Sequence, residues 1–87
     1  TPFLLRGFET IRTYIVHENL NVKLIGAGQD DDYSKTDGYS HDASDIFKIL
    51  GSINFPLMYK PQTKENLIQC INTFLKDKGP GFINLRR

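Results

Sequence analysis

Residues 33–46 read YSKTDGYSHDASDI, and four of their side chains, Asp37, His41, Asp42 and Asp45, are acids or an imidazole gathered around Gly38. Histidine titrates near neutral pH, so His41 can give or take a proton as an alkoxide forms or collapses. The competing reading is a solvated connector. Asp-Gly is a common turn pair, and a histidine at a helix start can simply face water.

Other groups point less clearly to chemistry. Asp30, Asp31 and Asp32 form an acidic run, but a calcium loop needs alternating ligands and a bidentate acid at its twelfth position. That spacing fails, and the run reads as a solvated loop. Cys70 is the one cysteine, which excludes an internal disulfide and a multi-cysteine zinc site and points to a reducing, cytoplasmic setting. It falls between Leu67 and Phe74 on a helical face, where a buried, inert thiol is expected.

The elements that must position these groups follow from periodicity. Residues 3–18 place apolar side chains at 4, 5, 8, 11, 15 and 16, the spacing of a helix. Thr1 is its expected cap, with Pro2 in the first turn. NLN then breaks it. VKLIGAG (22–28) reads as a strand ended by glycines. After the loop 29–40, Ser40 is the expected N-cap of a helix over 43–50, with Asp42 and Asp45 in its first turn and Gly51 as its stop. FPLMYK (55–60) reads as a buried strand, Thr63 as the cap of a helix, and FINLR (82–86) as a last strand. Leu67, Ile68, Ile71, Phe74 and Leu75 are expected to form one buried face of that third helix.

The order is therefore α-β-α-β-α-β, which argues for parallel pairing through crossovers. The expected fold class is α/β, a parallel sheet with flanking helices. Three strands and three helices read as part of a doubly wound sheet. Ligands in such sheets bind beyond the carboxyl ends of the strands. Asp37, His41, Lys60 and Arg87 all follow strand ends, so one shared rim is expected to hold them.

Composition removes several function classes. A net charge of +1 on 87 residues supplies no basic field for nucleic acid. Apolar runs such as FPLMY fall far short of the ~20 residues that cross a bilayer, and no signal peptide is recognisable. The start at Thr1, without methionine, is expected to reflect a piece of something larger.

DGYSHDASDIFKILGSINFPLMYKPQTKENLIQCI, followed by GPGFINLRR, resembles the middle, pyrimidine-binding domain of transketolase and its thiamine-diphosphate relatives. There Asp-Gly-Pro-Thr/Ser-His leads into a helix, a strand and a Pro-Ala/Ser-Asp helix start, and a short strand ending in Arg closes the pattern. FLLRGFETIR is similar to the family's Phe-x-x-Arg-Ala-Phe/Tyr-x-Gln-Ile-Arg helix. The resemblance covers essentially the whole chain, in order.

It implies a partial domain, residues 1–87, of a transferase that moves a two-carbon ketol unit between sugar phosphates. Phe3 is implied to stack on the aminopyrimidine of thiamine diphosphate, and a flat apolar ring suits that face. Arg6 matches a substrate-side arginine of the deoxyxylulose-phosphate synthase branch. Asp37 matches the acid contacting the hydroxyl beside the donor carbonyl, and His41 the histidine that hydrogen-bonds the donor. Arg87 matches the arginine that grips the sugar phosphate, for which a planar guanidinium is suited. The family's activating glutamate and its diphosphate–Mg2+ motif are absent from these residues. Glu9, Glu18 and Glu65 lack the context to replace the first, so these residues alone are expected to be inactive.

The implied partners are the diphosphate-binding domain of the same or a partner chain, in a homodimer, with neither nucleic acid nor membrane. Tyr39 stands where proline is usual, Asp42 where histidine or glutamine is frequent, PQT where a small residue and an acid are usual, and Asn84 where arginine is frequent. These departures suggest a divergent member. The alternatives are a deoxyxylulose-phosphate-synthase-like or 2-oxoacid dehydrogenase component, or a non-catalytic binding or regulatory module that kept the fold.

Overall fold

Apolar residues alternate or run continuously in three short segments, and each forms a strand. The computed structural model describes residues 1–32 and 34–86. Strands β1 (Lys23–Ala27), β2 (Met58–Tyr59) and β3 (Gly81–Leu85) make one parallel sheet in the order β1-β3-β2. The chain is thus a small α/β domain with a three-stranded parallel sheet. β3 lies in the middle and is buried on both faces, which is why its sequence carries almost no polar residue.

Successive residues of a strand face opposite sides. Leu24, Phe82 and Met58 are aligned across the sheet and join the core formed with Ile11, Ile15, Ile46, Leu50 and Phe55. The N-terminal helix and helix α3 (Ile46–Ser52) therefore cover this face. Helix α4 (Lys64–Lys76) covers the other, where the Phe74 ring lies against Gly81 so closely that a β-carbon there would clash. Each buried aliphatic or aromatic side chain contributes about 1.5–3 kcal/mol.

The N-terminal helix changes pitch along its length. It starts as a tight coil of three residues per turn (Pro2–Gly7), passes through one α-helical turn, α1 (Phe8–Thr10), and ends as a wide turn (Ile11–Val16) in which His17 N donates to Arg12 O at 3.1 Å. Both this helix and α3 stop at an asparagine in the left-handed region. Asn19 has φ 52° and Asn54 φ 59°. Leu20 N reaches back to Ile15 O at 3.0 Å and Phe55 N to Leu50 O at 3.1 Å, which satisfies the last carbonyls.

The limits of α3 and β2 differ from expectation. Helix α3 begins at Ile46, later than expected, and Ser40 is not its cap. Ala43 N donates to Asp30 O at 2.6 Å, which pulls residues 42 and 43 into an extended bridge, and Asp42 accepts from Ser44 N at 2.7 Å. Gly51 lies inside α3, because Asn54 provides the left-handed stop instead. Strand β2 is confined to Met58–Tyr59, and both residues are only half-buried.

Thr63 caps α4 as its type suggests, accepting from Asn66 N at 3.1 Å. The expected single apolar face of α4 splits in two. Leu67, Cys70 and Phe74 turn toward the sheet, whereas Ile68, Ile71 and Leu75 are exposed, Leu75 by 69%. Cys70 is half-buried rather than enclosed. A sheet of three strands is too narrow to cover a wider stripe. No helix among the described residues is long and apolar enough to cross a membrane.

Candidate active site

Beyond β1, where residue types predict only a loop, the chain makes two short helical turns, α2 (Ser34–Asp37) and a three-residue turn Tyr39–His41. Gly38 separates them at φ 84°, a backbone angle that disfavours any residue with a β-carbon. The reversal at Gly38 brings Asp37 and His41 to the same place.

That place is a cavity of about 650 Å3, lined by Thr1, Pro2, Phe3, Leu4, Ile25, Gly26, Ala27, Asp37 and His41. Its walls come from three separate segments: the first turn of the N-terminal helix, the carboxyl half of β1 and the Asp37–His41 turn. Phe3 meets His41 edge to face, with ring centroids 5.9 Å apart and planes at 88°. The Arg6 guanidinium lies over the Phe3 ring, 4.7 Å from its centroid. Three residues per turn is what makes this stack possible, since positions i and i+3 of a tight coil eclipse each other. The Phe3 ring is nonetheless 62% exposed.

Of the expected site residues, Phe3, Asp37 and His41 thus share one cavity, whereas Arg6 does not line it and only stacks on Phe3. Arg87 lies outside the described residues. Arg86, before it, is exposed and lines a separate cavity of about 360 Å3 with Pro61, Gln62, Thr63, Lys64, Leu67 and Leu85. Lys60 sits on the same rim but is engaged elsewhere, pairing with Asp30 at 2.5 Å.

The rim's polar groups have distinct duties. The acidic run diverges: Asp30 pairs with Lys60, Asp31 with Lys35 at 3.7 Å, and Asp32 accepts from Gln29 N at 2.9 Å. No cluster of three potential metal ligands occurs among the described residues. Hydrogen bonds from the Ser44 side chain and then from its backbone N–H hold the Asp42 carboxyl below the usual carboxylate range. His41 Nδ1 shares a hydrogen bond with Ser40 Oγ at 3.0 Å, and Thr36 Oγ1 donates to Asp37 at 3.3 Å.

No protein-family model, curated protein or solved structure matches the chain. The site's description therefore rests on its own geometry.

Sequence reasoning missed the residues that hold the rim together. Gln29 is buried, and its amide nitrogen donates to Asn84 O at 2.5 Å and to Pro61 O at 3.2 Å, while its oxygen accepts from Gln62 at 3.2 Å. One glutamine thereby ties the carboxyl ends of β1 and β3 to the turn after β2. A glutamine directly after a strand-ending glycine was the available signal. The role of Thr1 had none, because its partners Ala27 and Asn84 are remote in sequence.

Proposed function

We propose that these residues are part of the pyrimidine-binding domain of a transketolase-like transferase that uses thiamine diphosphate to move a two-carbon ketol unit between sugar phosphates. One observation carries this reading. Phe3, Asp37 and His41, singled out through the family resemblance, converge on a single cavity from segments more than thirty residues apart in the chain. A loop that merely connected two elements had no reason to bring an exposed aromatic ring, an acid and an imidazole together.

The chemistry of the walls fits one end of the cofactor. Phe3, Pro2, Leu4, Ile25 and Ala27 offer a flat and largely apolar lining for an aminopyrimidine. They do not suit a diphosphate, since among the described residues no lysine or arginine lines the cavity and Asp37 would repel it. The diphosphate and its Mg2+ belong in this reading to a second domain of the same or a partner chain. Exposed Ile25 on the edge strand and the uncovered stripe of α4 are apolar surfaces that such a partner would bury. The family's doubly wound fold, of which this sheet would be a part, places further strands beside the three seen here.

When bound, thiamine diphosphate would supply a nucleophilic carbon for exchange of a bond beside a carbonyl. The residues of this chain would do the rest. Phe3 orients the pyrimidine ring, Asp37 accepts from the donor's hydroxyl, and His41 holds or moves the proton on the donor's oxygen. Arg6 and Arg87 would meet the substrate's anionic end.

The test is turnover in the full-length protein with thiamine diphosphate, Mg2+ and a ketose phosphate donor. His41→Ala and Asp37→Ala are each expected to slow it by about a hundredfold, and Phe3→Ala to weaken cofactor binding. Unchanged turnover in both alanine variants would sink the assignment. Binding without turnover would indicate a non-catalytic module. Release of carbon dioxide from a 2-oxoacid donor would indicate the ligase or dehydrogenase branch instead.

A further inference from the structure

We propose that Asn84 is a positioning residue for the cavity: through the Thr1 hydroxyl it holds the Thr1–Phe3 segment, and with it the Phe3 ring, against His41. Asn84 lies in the central strand, fully enclosed, with Gly26 as its neighbour in β1. Its side-chain oxygen accepts from Thr1 Oγ1 at 2.5 Å. Its amide nitrogen has no hydrogen-bond partner among the described residues.

Such a residue is poorly chosen for a core. A buried amide with an unmade hydrogen bond lowers stability, and an aliphatic side chain of similar size fills the same space without that cost. Turning the amide over changes nothing, for then the nitrogen serves Thr1 and the oxygen is left alone. What the amide does accomplish is to seat Thr1. Gly26 leaves the room: a β-carbon there would overlap the Thr1 hydroxyl and crowd its backbone. Thr1 N donates to Ala27 O, and Leu4 N to Thr1 O at 2.9 Å, so the seat is transmitted into the turn that carries Phe3.

The inference separates stability from position, which a merely structural role would not do. Its binding arm rests on the cavity being the thiamine-diphosphate site, whereas its structural arm needs no ligand. In the full-length protein, Asn84→Leu is expected to melt no lower than wild type. The His41 ring-proton resonances should nevertheless shift toward those of Phe3→Ala, as the edge-to-face contact loosens. The Kd for thiamine diphosphate should rise about tenfold. Thr1→Val cuts the same bond from the other side and should shift the same resonances and raise the same Kd, now with a lower melting point because both amide atoms of Asn84 are left unpaired. Thr1→Ser should keep wild-type behaviour, and the double variant should shift resonances and Kd no further than either single one.

If Asn84→Leu fails to fold, Thr1→Val decides on the same two readouts. Unmoved His41 resonances in Thr1→Val, or effects that add in the double variant, overturn the proposal. A wild-type protein that never binds thiamine diphosphate sinks the ligand reading and leaves the resonance test of Asn84 intact.

Discussion

The two ends of β1 use polar groups in opposite ways. At the amino end, Lys23 Nζ donates to Asp77 O at 2.8 Å and Gly79 O at 2.5 Å, lies 3.8 Å from the Asp77 carboxylate and sits over the Phe74 ring. Asp77 accepts in turn from Gly79 N at 2.9 Å. This end is a closed clamp between the start of β1 and the turn that joins α4 to β3. At the carboxyl end, the Asp37 and His41 side chains bond to the adjacent Thr36 and Ser40 hydroxyls, His41 also meets the largely exposed Phe3 ring, and both line an open cavity. Polar groups are tied across elements at the first end, and Asp37 and His41 are left largely untied at the second.

Variants can break that contrast. The largest loss is expected from Phe82→Ala in the middle of the sheet, about 3–5 kcal/mol, read as a lowered urea midpoint. Next comes Lys23→Met, which removes the cation from its carbonyls and should cost about 1.5–3 kcal/mol while leaving ligand affinity unchanged. A changed affinity would mean that the two ends are coupled. Thr63→Ala removes the cap of α4 and should cost about 1 kcal/mol, visible as a small fall in thermal midpoint. His41→Ala and Asp37→Ala should move stability by no more than about 0.5 kcal/mol, the converse of Lys23→Met.

The smallest effect concerns pH. Asp42 is held below the ordinary carboxylate range by Ser44, so it favours the folded state above its unfolded value of about 3.9. That contribution is lost as pH falls through the lower, folded value. Asp42→Asn should remove this part of the acid slope in a pH series of thermal midpoints. A steeper acid slope in the variant would contradict the assignment.

Much of the framework was legible in the residues. Periodicity marked all three strands and the three principal helices, and Thr63 announced the start of α4. The loop was not legible in detail. Its two helical turns depend on Gly38 in the left-handed region and on the Asp30–Ala43 bridge, a contact between residues with no local signal for each other. The stops at Asn19 and Asn54 show the same limit, since asparagine tolerates the left-handed region but does not demand it. The rule for strand ends put Asp37 and His41 on one rim and the family resemblance singled out Phe3, but the meeting of Phe3 with His41 follows from no pattern within the residues.

Local periodicity, the alternation of strands and helices and the chemical types available at the strand ends can be read along the chain, because these depend on side chains a few positions apart. Only the tertiary structure decided which groups are free to act. Lys60 is tied to Asp30, the acidic run to three separate partners, and Asn84 to Thr1, while Phe3 and His41 meet across a cavity. Such assignments depend on distances between remote segments, and those are set by the packing of the sheet and its helices.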